Sequence, residues 1–149
     1  MVTLISKSPE ETLALGRQWG QDAQPGLVIA LTGDLGAGKT QLVRGVAQGL
    51  GTTGRVHSPT FALLNEYPGG RLPLWHIDLY RLETREQVIG AGLEDYIFQS
   101  RGVTVIEWAE RWFGEDWETP PGNGLALRRV RLETLGETER RIVYEDPRA

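Results

Sequence analysis

The period of the apolar positions changes several times along the 149 residues, and each change marks an element. Ser8-Pro9-Glu10-Glu11 has the form of a helix start. Ser8 stands as N-cap, Pro9 at the first helical position where its missing N–H costs nothing, and Glu11 closes a capping box. This helix is expected to run to about Gly20. Leu27 to Leu31 is an unbroken apolar run between Pro25-Gly26 and Thr32-Gly33, the pattern of a strand covered on both faces. From Thr40 onward, Leu42, Val43, Val46, Ala47 and Leu50 recur at helical spacing, and Gly51 supplies the stop.

Further along, Phe61 to Tyr67 and Leu72 to Asp78 are β-like runs separated by Pro68-Gly69-Gly70-Arg71, which reads as a hairpin. Thr84 to Phe98 has helical character broken by Gly90 and Gly92 into two short pieces. Val103 to Ile106 is a second apolar strand, ending at Glu107-Trp108. Leu125 to Glu133 and Arg140 to Glu145 resemble a final antiparallel pair around a polar turn. The chain thus reads as one α/β domain, residues 1–149, without internal repeat or linker. Its predicted architecture is a three-layer fold of the P-loop NTPase kind, with a mostly parallel sheet and antiparallel hairpin additions.

Composition narrows the chemistry. The absence of cysteine excludes disulfide scaffolds, thiol catalysis and cysteine-ligated zinc, and the two histidines, His57 and His76, argue against a histidine-rich metal site. A formal charge of −4 gives no broad basic surface for nucleic acid. No apolar stretch approaches the ~20 residues that cross a bilayer, and Met1 to Lys7 turns polar too early for a secretory signal, so the expected location is the cytoplasm. With fourteen arginines but only two lysines, Lys7 and Lys39, an isolated lysine at Lys39 stands out.

Lys39 belongs to Gly33-Asp34-Leu35-Gly36-Ala37-Gly38-Lys39-Thr40, which matches G-x-x-x-x-G-K-[ST] at every fixed position and lies between a predicted strand and a predicted helix. Glycines let the backbone curl so that successive N–H groups point inward around phosphate oxygens, and the helix adds its positive end. Lys39 would reach the outer phosphates and the Thr40 hydroxyl would ligate Mg²⁺. The expected ligand is ATP with Mg²⁺; no Asn-Lys-x-Asp sequence is present to read guanine.

Hydrolysis also needs acidic groups around the metal and a group to orient water. Asp78 and Glu107 each end an apolar strand-like run, where an open parallel sheet gathers its ligands. The bland alternative for both is a helix N-cap or a solvated strand end. Ser58-Pro59-Thr60 follows the glycine-rich helix and could offer a hydroxyl to the metal or γ-phosphate; taken alone it is a turn before a strand. Trp108, Trp112, Trp117 and Tyr96 read as core, and Arg128-Arg129-Val130-Arg131 as the solvated face of a strand.

Gly33 to Thr40, Ser58-Pro59-Thr60-Phe61, His76-Ile77-Asp78-Leu79-Tyr80-Arg81-Leu82 and Glu107-Trp108, in that order and spacing, closely resemble the bacterial TsaE (YjeE) family. The resemblance covers about Ser8 to Trp108. It implies a small ATPase that works with the TsaD and TsaB proteins in making N6-threonylcarbamoyladenosine on tRNA, touching tRNA indirectly through the complex. By position, it implies that Gly33 to Gln41 hold the phosphates, that Thr40, Asp78 and Glu107 serve Mg²⁺, and that Lys39, Asp78, Glu107 and Thr60 form the catalytic set. Asp78 takes the Walker-B-like place, Thr60 a nucleotide-responsive segment, and the helix start around Thr12 the neighbourhood of the adenine. One departure is Gln41, where members often carry a second threonine; the backbone N–H of residue 41 remains for the α-phosphate. Two other readings compete: a small-molecule kinase with Arg81-Leu82-Glu83-Thr84-Arg85 as its lid, and a nucleotide-gated binding module without catalysis.

Overall fold

The computed structural model describes residues 1–33, 38–52, 64–114 and 125–146. The expectations for Asp34, Leu35, Gly36, Ala37, Thr60 and Trp117 therefore fall outside the described residues.

The described strands are β1 (Val2–Ser6), β2 (Leu27–Gly33), β3 (Leu64–Tyr67), β4 (Leu74–Asp78), β5 (Val103–Glu107), β6 (Ala126–Thr134) and β7 (Arg140–Glu145). They form one sheet in the order β1-β7-β6-β2-β5-β4-β3. Its middle is parallel, with β2 between β5 and β6 and β4 beyond β5. The edges are antiparallel additions, β3 on β4 at one side and β7 with β1 at the other. The expected fold class is what the chain adopts.

Alternation along the central strands divides the core. Leu27, Ile29 and Leu31 of β2 pack on one face with Trp19 of α1 (Pro9–Asp22) and with Leu42, Val43, Val46 and Leu50 of α2 (Lys39–Leu50). Val28 and Ala30 face the other way, towards Val88 of α3 (Arg85–Gly90), Ile97 of α4 (Glu94–Ile97) and Trp112 of α5 (Glu110–Phe113). An apolar strand without a polar face is satisfied because helices cover both sides.

Two contacts fix α1 and α2 as one slab. Gly16 and Gly20 on α1 meet Gly45 and Gly49 on α2 so closely that a Cβ at Gly16 would strike the carbonyl of Leu42, and one at Gly45 that of Leu13. The backbones touch along a ridge spaced four residues apart, the i±4 row of each helix. Arg71, in the β3–β4 turn, donates from Nη2 to the carbonyls of Gly20, Gln21 and Ala23 at 2.8, 3.1 and 2.9 Å. These are carbonyls that the end of α1 leaves without helical partners.

Three expectations change. The first helix runs on to Asp22, one strand precedes it, and the arginine run is not a solvated face. Val2 to Ile5 lie exposed on both sides with no alternation to read, and β1 exists through its pairing with β7. In the arginine run Arg129 is buried, and Arg128 lies 4.8 Å over the Trp19 ring while bonding Asp146 at 2.9 Å. Long arginine stems cover apolar surface as well as meeting water.

Candidate functional site

Three parallel strands end beside the N-terminus of α2, and the site is built at that corner. Gly33 closes β2 with φ of 124°, and a Cβ there would run into the Leu132 backbone of β6. A residue at this place must be glycine for both space and backbone reasons. Gly38 caps α2 with φ of 89° in the left-handed region, so the chain turns sharply into the helix there. Between them runs the part of the glycine-rich loop that is not described.

Lys39 opens α2 and is only 5% exposed. Its Nζ sits 3.4 Å from the Gly33 carbonyl and 4.4 Å from the centroid of the Trp108 ring. Among the described residues, one long hydrogen bond and a ring face are weak company for a buried ammonium, which has three donors. Thr40 follows in the first helical turn, half-buried. Gln41 turns its side chain away: Nε2 donates to the Pro9 carbonyl at 3.3 Å, and Oε1 accepts from Arg44 at 2.6 Å. This bond brings the start of α1 against the first turn of α2. Thr12, one turn further along α1, is buried, its Oγ1 2.7 Å from Ser6 Oγ.

The two carboxylates expected from strand ends stand side by side. Asp78 ends β4 in register with Glu107, which ends β5. Leu74 of β4 and Val103 and Val105 of β5 pack on the α2 face, and alternation puts Asp78 and Glu107 on that face too. Glu107 is 5% exposed, and its Oε2 lies 2.5 Å from Nε2 of His76, which is 0% exposed. Asp78 accepts from the Tyr80 N–H at 2.9 Å. Burial pushes the Asp78 carboxyl above the usual carboxylate range, with the Glu107 charge adding to the rise and the Tyr80 N–H opposing it.

Trp108 packs against the second core cluster, as expected, and also reaches this corner. It has φ of 58°, the left-handed region that non-glycine residues seldom enter. Its ring lies 5.1 Å from that of Tyr80, 5.4 Å from the Arg111 guanidinium and against Lys39. Backbone strain of this kind costs about 1–3 kcal/mol and gathers at functional sites. The periodicity of the sequence did not reveal it, because a tryptophan after an apolar strand looks like core. Trp112 and Tyr96 also pack with the second core cluster, as expected.

One buried ammonium, two adjacent carboxylates and the N–H groups of a helix start now surround one corner. Such a set fits a polyphosphate together with a hard divalent cation, since it supplies donors for phosphate oxygens and oxygen ligands for the cation. The later part of the segment weighed as a kinase lid is engaged elsewhere. Thr84 caps α3 in a box with Gln87, and Arg85 lies 4.5 Å over the Trp112 ring on the opposite face of the sheet.

A central strand leading through a glycine-rich loop into a helix, within a mainly parallel sheet covered on both faces, makes this an α/β protein of the P-loop class. Comparison with known proteins agrees: the crystal structure of Bacillus subtilis YdiB superposes with a TM-score of 0.75 at 33% identity, covering 99% of this chain and 86% of that one. The family described as "Threonylcarbamoyl adenosine biosynthesis protein TsaE" matches residues 6–142, and the chain belongs to the TsaE family. Among relatives named tRNA threonylcarbamoyladenosine biosynthesis protein TsaE, that of Nostoc sp. is 49% identical over 74% of this chain and 70% of its own length. That of Bacillus subtilis is 48% identical over 68% of this chain and 63% of its own length. No helix among the described residues is long and apolar enough to cross a membrane.

Proposed function

We propose that this chain binds ATP with Mg²⁺ and hydrolyses it as an accessory ATPase of the machinery that makes N6-threonylcarbamoyladenosine on tRNA, acting with TsaD and TsaB. The observation that carries the reading is the placing of buried Lys39 at the same corner as the paired carboxylates of Asp78 and Glu107. The names carried by its relatives support the pathway.

Lys39 holds the outer phosphates, moving from the Gly33 carbonyl and the Trp108 face to charged oxygens. The loop from Gly33 to Gly38 and the first N–H groups of α2, including that of Gln41, cradle the rest. The edge of α1 near Thr12, tied to α2 through Gln41, borders the adenine. Thr40, Asp78 and Glu107 hold Mg²⁺, which when bound neutralises charge on the phosphate oxygens. Asp78, with its raised affinity for a proton, also serves as acceptor for water ordered beside it, and Thr60 supports the same region. Closure of the site around phosphates excludes bulk water.

An ATPase is preferred to a small-molecule kinase because Arg85 and Thr84 are committed to α3 and Trp112. The first test is nucleotide binding by Lys39→Ala. Loss of a charged hydrogen bond of about 1.5–3 kcal/mol should weaken ATP affinity by roughly 10- to 100-fold. Unchanged affinity would overturn the reading. Hydrolysis by the isolated chain should be slow and rise when TsaB and TsaD are added; phosphoryl transfer to a nucleoside or sugar in place of stimulation would favour the kinase.

A further inference from the structure

We infer that His76 is a positioning residue that aims the Glu107 carboxylate, an assignment that rests on the function proposed above. His76 lies in the middle of β4 with its ring on the α2 side of the sheet, fully buried beneath the strand ends. Its Nε2 and Glu107 Oε2 are 2.5 Å apart. A carboxylate oxygen has only lone pairs to offer, so Nε2 carries the hydrogen and donates it. One oxygen of Glu107 is thereby held from below, and the other is left for the corner shared with Asp78 and Lys39.

The second ring nitrogen makes the case sharper. Nδ1 is buried and has no hydrogen-bond partner among the described residues. A buried acceptor left without a partner is unfavourable, and an apolar side chain of similar size would suit the surrounding Leu74 and Val105 better. The fold alone gives no reason for an imidazole here; the Glu107 contact does. Glu107 is itself nearly enclosed, so without a donor its carboxylate would turn in search of one. Residues that hold a metal-binding carboxylate through a hydrogen bond commonly change metal affinity or activity 10- to 100-fold when replaced.

The test measures ADP affinity of the full chain, once with Mg²⁺ and once with EDTA, for wild type, His76→Leu, His76→Gln, Glu107→Gln and the double variant His76→Leu/Glu107→Gln. His76→Leu should lose the strengthening by Mg²⁺ tenfold or more while its affinity in EDTA stays that of wild type. His76→Gln, which keeps an N–H donor, should recover most of the loss. In the Glu107→Gln background His76→Leu should change the Mg²⁺ dependence less than twofold, since the two residues act as one. Electron paramagnetic resonance of bound Mn²⁺–ADP should show the same pattern without reference to turnover. Should His76→Leu fail to fold, His76→Asn, polar but one methylene too short to reach, replaces it with the same expectation.

Mg²⁺ dependence unaffected by these variants, or an equal further loss in the Glu107→Gln background, overturns the assignment of His76 and leaves the proposed ATPase standing. A wild-type chain whose ADP affinity ignores Mg²⁺ overturns both.

Discussion

Asp78 shows how burial of a single side chain at this corner costs stability. Its carboxyl takes up a proton more readily in the folded chain than the ordinary value of 3.8 allows, burial being the main cause. Above both its unfolded and folded pKa values, the residue is ionised in either state and the folded one bears the penalty. Below 3.8 it is protonated in both and the penalty is gone. Stability is therefore lost as pH rises through the interval from 3.8 to the raised folded value. The ligand-free Asp78→Asn variant, whose side-chain oxygen can still accept from Tyr80, should melt higher than wild type at pH 7. Its advantage should shrink as the pH falls towards 3.8, while ATP hydrolysis is lost. A melting temperature below wild type at neutral pH would contradict the burial argument.

Residues of this sort were legible to different degrees. Lys39, Asp78 and Glu107 could be picked out because each sits at a fixed place in a pattern: one in a glycine-rich motif, two at the ends of apolar strands. His76 and Trp108 could not be assigned roles, since a buried histidine and a tryptophan after a strand have the same surroundings in sequence whether they fill space or serve a site. What separates them is a partner atom 31 residues away for His76 and a backbone angle for Trp108.

Among elements, the unit from β2 to α2 was readable because its apolar run, glycine-rich connection and helical spacing all agree. The two short helices after residue 84 were readable because Gly90 and Gly92 interrupt a helical stretch, and Gly92 does adopt a positive φ of 78°. The close approach of α1 to α2 was not: glycines at 16, 20, 45 and 49 lower helix propensity, and only contact between the two backbones explains them. Gly45→Ala should push the helices apart and destabilise by about 1–3 kcal/mol. For a chain of this size that lowers Tm by roughly 2–4 °C per kcal/mol. Because α2 carries Lys39, nucleotide affinity should weaken as well; calorimetry and a thermal melt of the same variant check both. An alanine tolerated in both measurements would mean that the ridge is slack.

At the scale of the molecule, the candidate site draws on β2, β4, β5, α2 and, through Gln41, α1. A ligand bound there stabilises the assembly of all of them. At a hundred times Kd, Mg²⁺–ADP should add about 2.7 kcal/mol, or ~5–11 °C in Tm. The shift should fall to about 0.4–1.4 kcal/mol in Lys39→Ala; a full shift in that variant would place the ligand elsewhere. The central order β6-β2-β5-β4 was only partly foreseen. The hydrophobic pattern predicted that β6 and β7 pair, yet not that β6 runs parallel to β2 at the heart of the sheet, because strand neighbours 99 residues apart leave no local trace, as in Leu27 opposite Ala126.

The pairing of β1 with β7 has a further consequence for the chain as it is made. Val2 lies opposite Tyr144, so β1 is made well before the strand it pairs with. During synthesis Val2, Leu4 and Ile5 wait with open backbone groups and apolar side chains in view, an edge to which other nascent chains can add. Chains cut after Glu139 would keep that edge open for good and should precipitate where whole chains remain dispersed.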